Sequence, residues 1–421
     1  MTRLERLRPE HDAYTALSAC VQRTHEKVRS MHVLISGAGI AGPALALCLN
    51  RLGMKTTVVE KAATLRTGGQ AVDFRGPVHR AVLERMHLWD SIHERRTLPQ
   101  GLELLNRDGS PCATMPSVMM CGDVEILRGD LSQLLYERTR NHSEYRFGER
   151  VIELHDRGDH VEVEFEHAPA ERFDIVVGAD GLHSGVRKRI FGNETIALAH
   201  HGYRIATFSL ENSFGLRENA QVYSEPGRAI CLTATARNSA RALLIHTGGP
   251  FEYEARDLQA QLPVLRKRFE NMGWHAPRVM AAMAHTSDFY ADAIATVHLP
   301  SYSIGRVALL GDAAYGGTLG GQGTSLAIVG AYVLAGELAR DRDPHVAFQR
   351  YEDRMRSYAS GCQKGAARAG SFFAPRSALG LRARNATYAL LTSRPLARFF
   401  ERLVKQAASD FELPEYSPSL A

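Results

Sequence analysis

Between Met31 and Lys61 the pattern of apolar and polar positions changes character three times. His32 to Ser36 is a short apolar run of the kind a strand shows when both its faces are covered. A glycine turn follows, then a helix, then a second strand that closes on the acid Glu60. Further along, PVHRAVLERMHL (Pro77 to Leu88) repeats apolar residues at helical spacing, and a second helix is predicted from about Gly129 to Arg140. Leu102 to Asn106, Asp108-Gly109 and the run from Ala113 predict a hairpin with a type I′ turn. Arg150 to Leu154 and His160 to Glu166 alternate around Arg157-Gly158-Asp159 and predict another. Phe173 to Gly178 (FDIVVG) is again apolar apart from Asp174, and GRVALL (Gly305 to Leu310) returns to the same covered-strand texture. From about Ile196 to Asp292 the texture differs: YRIATFSL, RAICLTATA and RALLIHTG alternate with turns, broken by one predicted helix near Asp257 to Met272. Helices dominate from Thr324. This order predicts an α/β fold: a Rossmann-like nucleotide domain, an inserted antiparallel-sheet domain, and C-terminal helices.

Bulk composition narrows the class. The chain has 421 residues, 44% apolar and 23% charged, ordinary for a globular protein of two domains or one elaborated domain. No apolar run reaches the ~18 residues needed to cross a bilayer. Leu326 to Leu338 comes nearest, but it is interrupted by glycine, contains Glu337 and reads as a buried helix. Residues 1–30 carry six Lys/Arg and four Asp/Glu with no apolar centre, which excludes a secretory signal and suggests an upstream extension or a loosely attached helix. Six cysteines without C-x-x-C spacing read as reduced thiols in a cytoplasmic protein. The net charge of +5 is concentrated between Val346 and Lys405, where twelve Lys/Arg face three Asp/Glu. Without a nucleic-acid motif, that surplus reads as a solvated face, and no nucleic-acid or membrane partner is expected.

Three segments carry chemistry. Gly37, Gly39 and Gly42 form G-x-G-x-x-G: the first permits a tight turn, the second lets backbone approach a pyrophosphate, and the third lets helix and strand pack closely. Glu60, 18 residues after Gly42, stands where a carboxylate accepts hydrogen bonds from a ribose. Arg128, at the mouth of a helix, suits a pyrophosphate or is a surface arginine. In GADGLHSGVRKRI, Asp180 lies at a strand tip in the crevice where open sheets bind ligands, or else caps its own helix, with Ser184 and Arg187 as local partners. In GRVALLGDAAYGGTLGGQGTSLAIVGAY, Asp312 can accept from ribose or ribityl hydroxyls. Gly321 and Gly323 let backbone amides approach a ring system at a helix N-terminus that favours negative charge. That turn has no Walker spacing.

With these three ordered motifs the chain resembles the class A flavin monooxygenases, the para-hydroxybenzoate hydroxylase family, over about Met31 to Leu338. GGQAVDFRG and EILRGDL are most similar to the tetracycline-degrading and polyketide-tailoring branch. The resemblance implies FAD held by the glycines, Glu60, Asp73, Arg128, Asp180 and Asp312, with Lys61 beside the adenosine ribose and Arg66 near a nicotinamide phosphate. It divides the chain into an extension (1–30), the first part of an FAD-binding domain (31–195), a substrate-binding sheet domain (196–292), a second FAD-binding part (293–345) and C-terminal helices (346–421). It implies reduction by NAD(P)H, with NADPH expected, then O2 addition and oxygen transfer through a flavin hydroperoxide to an aromatic or polyketide-type small molecule. A ketone would instead undergo Baeyer–Villiger insertion, and an oxygen-independent flavin oxidoreductase shares the fold. A monomer or homodimer is expected, and no metal. Phenol hydroxylation needs a base, for which Tyr203, His246 and Tyr223 are candidates; no catalytic residue is assigned. One departure stands out: the turn Tyr315 to Gly320 lacks the family's usual proline and is a residue shorter.

Overall fold

The computed structural model describes residues 31–65, 69–97, 100–117, 121–192, 198–217, 219–236, 238–249, 258–317, 319, 322–393, 396 and 411–416. Its centre is a six-stranded sheet in the order Ser303–Ile304, Val307–Leu309, Ile175–Gly178, His32–Ser36, Lys55–Glu60, Ser143–Phe147. All neighbours are parallel except the two short strands at the first edge. The parallel strands His32–Ser36, Ile175–Gly178 and Val307–Leu309 are almost wholly buried, which is why they read as unbroken apolar runs. Their carboxyl ends lead into the Gly37 turn, the Asp180 loop and the Asp312 turn, so all three motifs meet at one end of the sheet.

Helix Ala41–Arg51 and helix Gly323–Arg340 pack on each other and are buried over most of their lengths. Gly330 breaks the apolar run for a steric reason: a Cβ there would lie 2.0 Å from the Tyr315 hydroxyl. Among the described residues no helix is long and apolar enough to cross a membrane. Helix Pro344–Phe373 runs alongside, followed by Ala378–Leu391. Part of the basic surplus here is buried or paired with a buried acid rather than simply solvated. Arg384 is buried and donates to Ser224 Oγ and the Phe372 and Phe373 carbonyls, while Arg354 pairs with the fully buried Glu337.

The second sheet has seven strands in the order Tyr290–Val297, Leu198–Glu211, Ser239–Thr247, Arg228–Ala236, Asn219–Glu225, Gly101–Leu105, Pro111–Met115. It therefore draws a hairpin from well upstream, joined in parallel to Asn219–Glu225, and its other edge strand continues past residue 292. Strand periodicity marks which residues share a face but not which distant strand pairs at an edge. Two further expectations are corrected. In the hairpin turn only Gly109 has a positive φ (84°), whereas a type I′ turn needs two such residues. Asn106 instead pairs with Ser110 across a three-residue connection, Arg107 to Gly109, with the Asp108 side chain holding the Ser110 amide. And the helix predicted near residues 257–272 is present as Leu258–Phe269, but a second helix, Ala276–Met283, follows it where none was expected.

Those two helices cover one face of the seven-stranded sheet through Leu265, Phe269, Val279 and Met283. The opposite face carries Tyr203, Ile205, Cys231, Leu243 and Ile294, with Leu319, Phe372 and Tyr388 packed against it. The five described cysteines are all free thiols.

Candidate cofactor cleft

The first glycine turn is built so that nothing larger fits. Gly37 has φ 112°, and an added Cβ would sit 2.4 Å from the Ala179 carbonyl of the neighbouring strand tip. At Gly42 an added Cβ would meet the Gly37 carbonyl at 2.0 Å, so the helix starts directly against the turn. Gly39 differs: a Cβ there would meet only the Arg128 guanidinium, at 3.6 Å. Its open side therefore faces a space flanked by a cation. No side chain caps the helix that follows, and its first turn holds no acid, which leaves its amides and its dipole available to an anion.

Glu60 ends its strand with both oxygens engaged. One accepts from the Ala38 amide at 3.0 Å and the other from the Ala62 amide at 3.0 Å. Each keeps a second lone pair, so the carboxylate is held still and can still accept from a hydroxyl. Lys61, beside it, is exposed. Arg128 opens helix Arg128–Thr139, where its amide donates to the Gln70 carbonyl and its aliphatic stem lies on Gly69, 2.9 Å from an added Cβ there. Asp73, in a two-stranded sheet opposite Glu125, pairs with Arg75 at 3.5 Å. Burial, opposed by Arg75 and aided by Glu125, raises its carboxyl to about 6.

Asp312 opens the short helix Asp312–Tyr315 after Gly311, whose φ of 63° turns the chain. The residue is exposed, yet protein encloses it closely enough that burial raises its carboxyl above the usual range, against the pull of Arg128 and with the push of Asp292. Exposure and enclosure together describe the wall of a cleft. Among the described residues nothing donates a hydrogen bond to this carboxylate. Across from it, an added Cβ on Gly323 would come within 3.4 Å of Asp312 Oδ1, at the N-terminus of an 18-residue helix that no side chain caps. Arg128 thus links the Gly39 turn to the Asp312 turn.

Asp180 takes the alternative role. Its carboxylate accepts from Ser184 Oγ at 2.5 Å, the Gly185 amide at 2.7 Å and the Val186 amide at 3.1 Å, capping helix Gly185–Phe191. Burial raises its carboxyl and these donors pull it partly back. The motif's arginine, Arg187, is buried and donates to the Leu182 and Ala313 carbonyls, tying this loop to the Asp312 turn. Arg66, Gly321, Thr318 and Gly320 lie outside the described residues.

Where the family has proline, paired glycines bring the turn flat against its surroundings. A Cβ on Gly316 would meet Asp312 Cα at 2.6 Å, and one on Gly317 would meet Ala366 Cβ at 2.8 Å. Gly317 bridges to Thr296, and the buried Gln363 donates to the Tyr315 and Val297 carbonyls, fixing the turn to the second sheet.

Two of the three base candidates are packed residues of the second sheet. Tyr223 stacks on Trp274 and His246 lies edge-on to Phe269, both on the helix-covered face; burial lowers His246 to about 4. Tyr203 is on the other face, beneath the Arg376 guanidinium. A pair without any local sequence signal is brought together instead: His183, after Asp180-Gly181, reaches Asp292 on the second sheet at 3.0 Å. Among the described residues no cluster could hold a metal ion.

An α/β sheet with a glycine turn and acids at adjoining strand tips is the arrangement of a dinucleotide-binding fold. Residues 30–369 match the FAD binding domain family, and the chain belongs to that family of flavin-dependent monooxygenases. It is 40% identical over 329 residues to protein Rv1260 of Mycobacterium tuberculosis, covering 76% of this chain and 88% of that protein. It is 34% identical over 344 residues to a flavin-dependent monooxygenase of Legionella longbeachae, covering 80% and 88%. Among solved structures it is similar to the tetracycline destructase Tet(55), with 33% identity, TM-score 0.77, and coverage of 92% of this chain and 99% of that one.

Proposed function

We propose that this chain uses a nicotinamide, NADPH in the first instance, and O2 to oxygenate an aromatic or polyketide-type small molecule with the help of FAD. The observation that carries this reading is Asp312: an enclosed, solvent-facing carboxylate with no donor among the described residues, beside a cation and an uncapped helix end. Such an acid suits a polyhydroxylated ligand strand. Gly37 to Gly42 and Arg128 would take the pyrophosphate, Glu60 and Lys61 the adenosine ribose, and Asp312 the ribityl or ribose hydroxyls. Gly321 and Gly323 would face the pyrimidine edge at the helix N-terminus, and Asp73 would line the cleft. Asp180 would act through the backbone it holds against Gly37.

When bound, FAD supplies hydride acceptance and activation of oxygen. The chain's own contribution is placement and dryness. The uncapped N-terminus of Gly323–Arg340 favours the negative charge of a reduced ring. Leu319, Phe372 and Tyr388, partly buried on the apolar sheet face of Ile205 and Ile294, would offer a flat ring system an apolar wall and keep water from it. The name of the Legionella longbeachae monooxygenase supports oxygenation, and that of the tetracycline destructase Tet(55) supports a polycyclic substrate class. The reduced thiols support a reducing compartment such as the cytoplasm.

The test is direct. Protein loaded with FAD is followed for NADPH loss and oxygen uptake, with and without a panel of phenols and polyketides that includes tetracycline. Substrate-stimulated oxygen uptake with a hydroxylated product supports the reading. NADPH loss without oxygen uptake replaces it with an oxygen-independent oxidoreductase, and an ester or lactone product with Baeyer–Villiger chemistry.

A further inference from the structure

Phe411 to Tyr416 lies across three helices of the nucleotide domain, Gly76–Arg85, Gly323–Arg340 and Pro344–Phe373. Its apolar side chains face in and its acids out: Phe411, Leu413 and Tyr416 are half-buried against the core, while Glu412 and Glu415 are exposed. Phe411 stacks on Tyr358 with ring centroids 4.6 Å apart, and Tyr416 sits 5.3 Å from Tyr332 with the Arg340 guanidinium over its ring. Arg85 donates to the Pro414 carbonyl at 2.9 Å and Arg340 to the Glu415 carbonyl at 2.9 Å. The seat is shaped for this ring. A Cβ on Gly336 would come within 2.3 Å of the Tyr416 ring, although a helix interior otherwise disfavours glycine.

Two features set this segment apart from an ordinary packed terminus. Among the described residues its backbone forms no ladder with the rest of the fold, and its hydrogen bonds run to or from side chains. It can therefore lift without breaking a strand pairing. The acid it covers is also left half satisfied. Glu337 is fully buried, and its Oε1 accepts from the Tyr416 hydroxyl at 2.6 Å and from Arg354 at 2.7 Å. Oε2 has no hydrogen-bond partner among the described residues. Burying a carboxylate oxygen without a donor opposes docking, and covering three apolar side chains favours it, so the two terms offset each other.

Both anchor points lead to the cofactor cleft. Tyr416 grips the last turns of helix Gly323–Arg340, whose other end faces Asp312. Phe411 lies on Tyr358, whose hydroxyl meets His79 Nε2 at 2.7 Å. His79 Nδ1 accepts from the Arg75 amide at 2.8 Å, and Arg75 pairs with Asp73. Burial lowers His79 to about 4, so its ring is neutral and carries its proton on Nε2, toward Tyr358. Close-packed contacts of this kind pass a displacement on rather than absorb it.

We propose that Phe411 to Tyr416 is a clasp that controls exchange of the flavin. Docked, it braces both walls of the cleft and slows cofactor release; undocked, it lets the walls part. The inference rests on FAD occupying that cleft. Linkage is reciprocal, so bound FAD holds the clasp down by the same factor.

The test uses the full chain with and without FAD. Chymotrypsin cuts after Tyr416 once the ring leaves its seat, and mass spectrometry counts the peptide released, residues 417–421. FAD release is followed as flavin passing an ultrafiltration membrane after dilution into buffer without FAD. In the wild type, FAD is expected to slow cleavage at Tyr416 about tenfold. Gly336→Ala, which helix preference alone would favour, is expected to release FAD about tenfold faster and to be cleaved equally with and without it. Tyr416→Ala should speed release similarly, and Tyr416→Phe, which loses only the bond to Glu337, should do so less. Gly361→Ala makes the same exchange in helix Pro344–Phe373, where an added Cβ meets nothing within 4 Å, and should change neither rate. Wild-type cleavage that FAD leaves unchanged overturns the proposal. So does release at the wild-type rate from Gly336→Ala and Tyr416→Ala, and the second variant decides alone should the first not fold. A chain that takes up no FAD overturns the cofactor reading instead, so the two failures are told apart.

Discussion

Asp180 and Asp312 stand at the carboxyl tips of two adjacent parallel strands, each next to a glycine and each starting a helix. In sequence they look interchangeable. In the fold they are opposites: Asp180 accepts three hydrogen bonds from its own helix start, while Asp312 accepts none among the described residues and faces a cleft. An acid at a strand tip is therefore free to meet a ligand only where the chain that follows leaves it without donors. Ser184, four residues after Asp180, supplies one such donor, and the backbone that turns inward there supplies two more.

The contrast predicts opposite phenotypes. Asp312→Ala should have the largest effect on the cofactor, with flavin content falling at least tenfold at a given FAD concentration while the thermal midpoint of the apoprotein stays put. Absorbance of the purified protein and calorimetry read the two quantities; unchanged flavin would remove the distinction between the two acids. Asp180→Ala should instead cost about 2–4 kcal/mol of stability, the sum of a lost cap and buried amides left unpaired. Denaturant titration measures it, and a stability equal to wild type would return Asp180 to the ligand group.

Asp73 sharpens the comparison through pH. Its carboxyl is raised to about 6, chiefly by burial, so the folded state holds a proton more tightly than the unfolded one. The stability this contributes is fully present below about pH 4, the unfolded value, and is lost as pH rises through about 6. Asp73→Asn should therefore raise the apoprotein's stability at pH 8 by about 1–3 kcal/mol and leave it unchanged at pH 3.5. Thermal melts of apoprotein at the two pH values decide it, and an equal effect at both would be inconsistent with the sign. The smallest effect is expected at Glu60. Glu60→Gln keeps an acceptor for one of the Ala38 and Ala62 amides and should weaken FAD by about 1–2 kcal/mol, read as a roughly tenfold rise in Kd.

Much of this architecture was legible beforehand because it depends on short-range chemistry. Strands covered on both faces must be apolar throughout, and the turn between His32–Ser36 and Ala41–Arg51 must be glycine where φ is positive and where the helix start meets the Gly37 carbonyl. Such constraints act within about a dozen residues and leave a local mark. The hairpin Gly101–Leu105 and Pro111–Met115 could be recognised as a hairpin, yet nothing in it indicated the strand Asn219–Glu225 that it joins. Tyr223 and His246 looked like base candidates because alternation names two faces without saying which one the helices cover.

By itself, then, the chain's order of residues determined the parallel sheet, its glycine cradle, Glu60 and Asp312, since each is dictated by nearest neighbours in sequence or by the geometry of one turn. Tertiary structure alone decided that Asp180 is a cap, that Arg128 joins two turns, and that His183 meets Asp292 from another sheet. The physical reason is that hydrogen bonds and charge coupling depend on separation in space. Residues 109 positions apart in the chain, as His183 and Asp292 are, carry no local pattern of having been brought within 3.0 Å.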